Sequence, residues 1–120
     1  MSMFMKTKLD YVEFAAKDLG KTQNFFETVF NWQFTVYGEE YIAFSVESAG
    51  LEGGFYRADL QAKQEQGSAL LVFLADSLDV QTEIIAAGGE INVPAFSFPG
   101  GKRFHFIEPS GNEFAVWSKE

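Results

Sequence analysis

FHFIEPSGNEFAVW, residues Phe104 to Trp117, reads as two short apolar strands joined by a proline-glycine turn. Side chains alternate across a strand, so Phe104, Phe106, Phe114 and Val116 form the natural core side. Arg103, His105, Ile107, Glu113, Ala115 and Trp117 then share the opposite side. The turn EPSGN pairs Ile107 with Glu113 and sets His105 opposite Ala115, a register that a bulge would invert. His105 is the only histidine of the chain, so what it faces bears directly on function.

Working outward, the hairpin closes the second of two similar units. LDYVEFAA (Leu9 to Ala16) alternates as a strand, Asp18 offers a helix N-cap, and Phe25, Phe26, Val29 and Phe30 make an apolar stripe at helical spacing. WQFTVY and YIAFSV flank Gly38-Glu39-Glu40 as a hairpin, and GLEGGFYR supplies a fourth strand. ADLQAKQEQGS reads as a polar surface linker. The pattern then restarts: ALLVFL is a strand, Asp76 or Ser77 is placed to cap a helix, and VQTEIIAAGG ends on a glycine stop. INVPAFSF, KRFHFI and NEFAVW complete the set. A shift of 59 residues lays Val12 on Leu71, Phe14 on Phe73, Phe25 on Ile84, Phe55 on Phe114 and Tyr56 on Ala115.

The expected architecture is α+β: two tandem β-α-β-β-β units whose curved mixed sheets surround a cleft. Residues 1–120 make one domain, with unit one at about 9–57, a linker at about 58–67 and unit two at about 68–119. One helix and four strands are too few to close a core alone, so the units must pack together. With Val12, Phe14, Leu71 and Phe73 facing the helices, Tyr11, Glu13, Leu70 and Val72 face the cleft.

The totals narrow the partners. A net charge of −8 repels phosphate backbones and anionic lipid, which argues against nucleic acid and membrane surfaces and favours a cation at long range. No apolar run reaches the length of a membrane span, and MSMFMKTKLD lacks the apolar centre of a signal peptide, so the expected setting is the cytoplasm. The absence of cysteine excludes disulfides, thiolate nucleophiles and cysteine metal sites. The serines show no partnered histidine-acid arrangement, and PGGK before the seventh strand lacks the strand-loop-helix context of a phosphate loop.

KDLGKTQNFFETVFNW after the first strand, AAGGEI after the second helix and the terminal EPSGNEFAVW together resemble the vicinal oxygen chelate proteins, the glyoxalase, bleomycin-resistance and extradiol-dioxygenase superfamily. Three departures stand out: Phe26 replaces a usual tyrosine, Asn31 a usual glycine, and Glu108 a usual aspartate. The resemblance implies a homodimer and, in the enzymes, one divalent ion held by His and Glu. Carried over by position, those ligand places fall on Tyr11, Leu70 and Ala115, with another around Gly54 to Tyr56. Leucine and alanine cannot donate to a metal, so no metal site and no cofactor are expected.

The leading expectation is therefore a protein that binds a small molecule in a metal-free cleft, which leans against an enzyme. The ligand-binding candidates are Tyr11, Glu13, Tyr56, Arg103, His105 and Trp117. Aromatic rings suit stacking or a cation, and Glu13 suits an amine or a pairing with Arg103 or His105. A divalent-metal lyase, isomerase or dioxygenase-like enzyme with a non-standard set including Glu13 and His105 is the alternative. A structural or regulatory partner domain without pocket chemistry is a third.

Overall fold

The computed structural model describes residues 6–119; Met1 to Met5, half of the stretch read for a leader, and Glu120 lie outside them. The first sheet runs β1 (Tyr11–Ala16), β2 (Phe34–Tyr37), β3 (Tyr41–Phe44) and β4 (Glu52–Arg57), in spatial order β1-β4-β3-β2. The second runs β5 (Leu71–Leu74), β6 (Glu90–Phe98), β7 (Gly101–Ile107) and β8 (Glu113–Ser118), in the matching order β5-β8-β7-β6. In each sheet the first strand lies parallel to the last and the others are antiparallel. Helix α1 (Leu19–Phe30) joins β1 to β2, and α3 (Val80–Ala86) joins β5 to β6. No helix among the described residues is long and apolar enough to cross a membrane.

Asp18 caps α1 by accepting from the Lys21 amide at 3.0 Å. The helix ends at Asn31 in the left-handed conformation (φ 58°), which asparagine tolerates better than most residues and which suits the place of a usual glycine. Its apolar stripe meets both sheets. Phe26 lies 5.7 Å from Phe55 in the first and 5.5 Å from Phe114 in the second, and Phe14 lies 5.1 Å from Phe114. The helix-side faces thus share one aromatic core, and the other two faces turn away from it.

Three local expectations need correction. Asp79, not Asp76 or Ser77, stands at the N-terminal boundary of the second sheet's helix, and its side chain makes no capping hydrogen bond; the Ser77 hydroxyl accepts from the Asp79 amide at 3.1 Å, in a turn before the helix starts. YIAFSV stops pairing at Phe44, because Ser45 caps a short helix α2 (Val46–Ala49). The polar linker lies at the surface, with none of its residues buried, and is tied to the last hairpin. It forms a 3-10 turn at Gln64–Gln66, the Ala62 amide donates to the Asn112 side chain at 2.9 Å, and the Glu113 amide donates to the Ala62 carbonyl at 2.8 Å. Finally, Phe55 lies opposite Phe14, but Val116 rather than Phe114 lies opposite Phe73. Strand pairing therefore matches Ala115 with Gly54, not with Tyr56. The bulged β6 carries the extra length: it takes five residue steps from Ile91 to Phe96 where β7 takes three from Phe106 to Arg103.

Candidate functional site

The closing hairpin has the register its turn demands: Ile107 pairs with Glu113, His105 with Ala115 and Arg103 with Trp117. Phe104, Phe106, Phe114 and Val116 are buried in the core. On the opposite side His105 is only 3% exposed, and its Nδ1 lies 2.8 Å from Glu113 Oε2. Glu113 also accepts from the Gln64 amide at 2.9 Å and from Asn92 Nδ2 at 3.1 Å. Burial raises this carboxyl, but the bonds from His105, Gln64 and Asn92, with the imidazole charge, outweigh it and hold the group below the ordinary glutamate value. Glu113 is thus an ionised acceptor, and the proton of the shared bond sits on Nδ1. Among the described residues His105 Nε2 is buried without a hydrogen-bond partner, and so is Arg103 Nε. The Arg103 guanidinium lies 5.2 Å from the Phe96 ring centre, and Trp117 packs 5.8 Å from Phe98.

The open face of the first sheet holds a separate polar cluster. Tyr41 donates to Glu13 Oε2 at 3.0 Å and shares a short hydrogen bond with the Tyr11 hydroxyl. Burial, followed by the bonds to Tyr11 and Glu13, pushes the Tyr41 phenol well above its ordinary range, so it remains a donor. Its ring lies directly over Gly54, so a Cβ at that place would push the Tyr41 ring aside and disturb the cluster. A groove of about 630 Å³ adjoins the cluster, lined by Tyr11, Phe34, Tyr37, Tyr41, Glu47 and Glu52 among others, with no lysine or arginine. Tyr56 is about one-third exposed and lines a neighbouring groove with Glu13 and Leu60.

The structure therefore divides the six candidates. Tyr11, Glu13 and Tyr56 lie on the first sheet, and Arg103, His105 and Trp117 on the second. The expected pairing of Glu13 with Arg103 or His105 is replaced: Glu13 bonds Tyr41, and His105 bonds Glu113. Tyr41 is a site residue absent from the six, although Ile42 and Phe44 facing the core already place it on the open side. Asn92 carries no readable signal, because the bulges of β6 break the alternation that would assign its face.

A family model for the Glyoxalase/Bleomycin resistance protein/Dioxygenase superfamily matches residues 8–116. The chain belongs to this superfamily. Solved structures share the fold. A glyoxalase-related enzyme from Fulvimarina pelagi is 16% identical with a TM-score of 0.77, covering 94% of this chain and 88% of its own. The fosfomycin resistance protein FosX from Listeria monocytogenes is 23% identical with a TM-score of 0.73, covering 95% and 94%. A lactoylglutathione lyase from Agrobacterium tumefaciens is 15% identical with a TM-score of 0.70, covering 95% of each chain. No curated protein matches the sequence.

The divalent ion usual in superfamily enzymes does not fit the residues present. Leu70 and Ala115 have no donor atoms, Gly54 lies beneath the Tyr41 ring, and the hydroxyl of Tyr11 is engaged with Tyr41. Among the described residues no group of three or more His, Cys, Asp or Glu side chains is arranged to hold a metal ion.

Proposed function

We propose that this superfamily member is a cytoplasmic homodimer that binds a small, amine-bearing organic molecule against the open face of its first sheet without a divalent ion. The observation that carries this reading is the groove beside Tyr41, where aromatic rings and the carboxylates of Glu47 and Glu52 occur together with no competing lysine or arginine. A cation over a tyrosine face gains from the ring quadrupole, and a nearby carboxylate adds charge attraction. Glu13, fixed by Tyr41, keeps a second carboxylate oxygen for an ammonium N–H.

A thermal-shift comparison tests the ligand class. Benzylamine, a cation with N–H donors at neutral pH, is expected to raise Tm by several degrees at saturation, since a ligand at a hundredfold excess over Kd stabilises by about 2.7 kcal/mol. Benzyl alcohol is expected to do little, and Tyr37→Ala or Glu52→Gln to reduce the cation response. Equal shifts for both probes, or none, would remove the amine reading. Protein purified without chelator or affinity tag is expected to hold less than about 0.1 metal per chain and to show no Tm rise with nickel, zinc, manganese or iron. A stoichiometric, stabilising metal would overturn the metal-free part.

The dimer has its own support. The open face of the second sheet exposes Val72 and Leu74, apolar surface that a second copy can cover. Light scattering is expected to give twice the chain mass, falling to one chain for Leu74→Glu. A monomeric wild type would refute it.

A further inference from the structure

The His105–Glu113 pair is unused by the amine reading and lies on the other sheet. It differs also from the superfamily's ligand places, since the last-strand position there is Ala115. Its geometry is that of an imidazole oriented by a carboxylate, in which the base nitrogen away from the carboxylate meets the reacting group. Glu113 accepts three hydrogen bonds and donates none, which puts a proton of His105 on Nδ1 and makes Nε2 the nitrogen that can accept in the neutral ring. A polar atom buried in a folded chain ordinarily has a partner. Here two such atoms are orphaned on one face of one strand: His105 Nε2, which accepts, and Arg103 Nε, which donates. Arg103 forms no ion pair among the described residues.

Phe96 roofs both. Its ring centre lies 6.1 Å from the imidazole and 5.2 Å from the guanidinium carbon, and it is 39% exposed on the bulged part of β6. A groove of about 490 Å³ reaches the Glu113 side of the pair, lined by Lys63, Glu65, Glu90, Asn92, Ile107 and Glu113 among others; His105, Arg103 and Phe96 do not line it. Displacing one half-exposed side chain from an irregular strand is the route to the two orphaned atoms, and the displaced phenyl then offers a face for a flat ligand.

We propose that His105, oriented by Glu113, is a proton-accepting site for a small phenolic or enolic molecule, whose hydroxyl meets Nε2 while a second oxygen accepts from Arg103. Phenolic and enolic hydroxyls, far more acidic than alkanols, hydrogen-bond strongly to an imidazole nitrogen and pass it the proton where their pKa approaches its own. In the transfer the ligand O–H bond breaks and an Nε2–H bond forms. The oxygen keeps the electron pair, the imidazolium is balanced by Glu113, and the oxyanion lies beside Arg103. No oxidant, reductant or nucleophile takes part.

His105 being the sole histidine, ¹⁵N-histidine labelling of the full chain gives one imidazole to observe. Ligand-free protein is expected to show Nδ1 protonated and Nε2 bare. Phenol, 4-nitrophenol and 4-hydroxybenzoate are expected to move the Nε2 resonance toward its protonated position, and anisole, 4-nitroanisole and 4-methoxybenzoate to leave it in place. Glu113→Gln removes the balancing charge and should abolish that movement. Should that variant not fold, Arg103→Gln is expected to weaken 4-hydroxybenzoate about tenfold while phenol binding changes less. The site is overturned if Nε2 is already hydrogen-bonded without ligand and unmoved by all three hydroxyl probes, as a buried water would make it. Equal movement by the methoxy compounds overturns it too. Benzylamine, bound at the first sheet, is expected to leave the resonance unchanged, so the two readings fail separately.

Discussion

Glu108→Ala is expected to destabilise the chain by about 3 kcal/mol or more, because one buried carboxylate satisfies the turn that closes the second sheet. Glu108 is 1% exposed. Its Oε1 accepts from the Thr22 hydroxyl at 2.7 Å and the Ser110 amide at 3.0 Å, and its Oε2 accepts from the Asn112 amide at 3.1 Å and side chain at 2.9 Å. Burial pushes this carboxyl above the ordinary glutamate value, although all four donors pull it down. Alanine leaves the Ser110 and Asn112 backbone amides inside the fold with no acceptor, while Thr22 keeps its bond to Ser110 and the Asn112 side chain its bond to Ala15, and each orphaned polar group costs about 1–3 kcal/mol unless water enters. The effect reaches beyond the turn. Thr22 belongs to α1, Ser110 contacts Asp18 at the start of that helix, and Asn112 donates to the Ala15 carbonyl of β1 at 2.8 Å. The turn is thus a clasp between the last hairpin and the first β-α corner. Glu108→Asp, the residue usual in the superfamily, keeps the charge but shortens the reach and is expected to cost about 1 kcal/mol. Urea unfolding measures both; a loss under 1 kcal/mol for the alanine variant would show that water replaces the carboxylate without penalty.

That clasp also shows how far the sequence can be read. Proline and glycine in EPSGN announce the turn, and its length sets the register of β7 against β8, so the open-face set around His105 is legible residue by residue. The partner of His105 is legible only as a neighbour. Glu113 lies diagonally across the hairpin, and nothing in strand alternation says that its carboxylate turns toward the imidazole rather than toward water. The linker is deceptive for a related reason. Its polar composition is what a solvated strap has, and also what a segment has that bonds another strand through backbone amides. Backbone donors carry no sequence signal, so Gln64 and Ala62 give no sign of their bonds to the last hairpin. The constant shift of 59 fails at the last strand because a bulge adds residues without altering the apolar pattern around it. The slip it produces is even, so the inward and outward sides survive while the partner of Ala115 changes.

Phe26→Ala is expected to cost about 3–5 kcal/mol, the range for removing a fully buried aromatic side chain. Phe26 is completely buried. Its ring stacks on Trp32 at 4.6 Å and also meets Phe25, Phe30, Phe55 and Phe114 within 6 Å. Phe55 belongs to the first sheet and Phe114 to the second, so the cavity left by alanine opens at the place where the two halves of the core meet. Rings packed on five sides cannot collapse onto a methyl group without losing their own contacts, which puts the loss toward the upper end of that range. Leucine refills part of the volume but forfeits the ring pairs, and about 1–2 kcal/mol is expected for Phe26→Leu. Val36→Ala, on an exposed strand position, should change stability by less than about 0.5 kcal/mol and serves as the control. Urea unfolding of wild type and variants is expected to show single transitions with coincident fluorescence and circular dichroism, because neither sheet keeps a core once α1 leaves it. Two separate transitions in the wild type, or a loss below about 1.5 kcal/mol for the alanine variant, would mean that each β-α-β-β-β unit holds its own core. The shared aromatic layer would then be a contact between two finished units, and not the reason either of them folds.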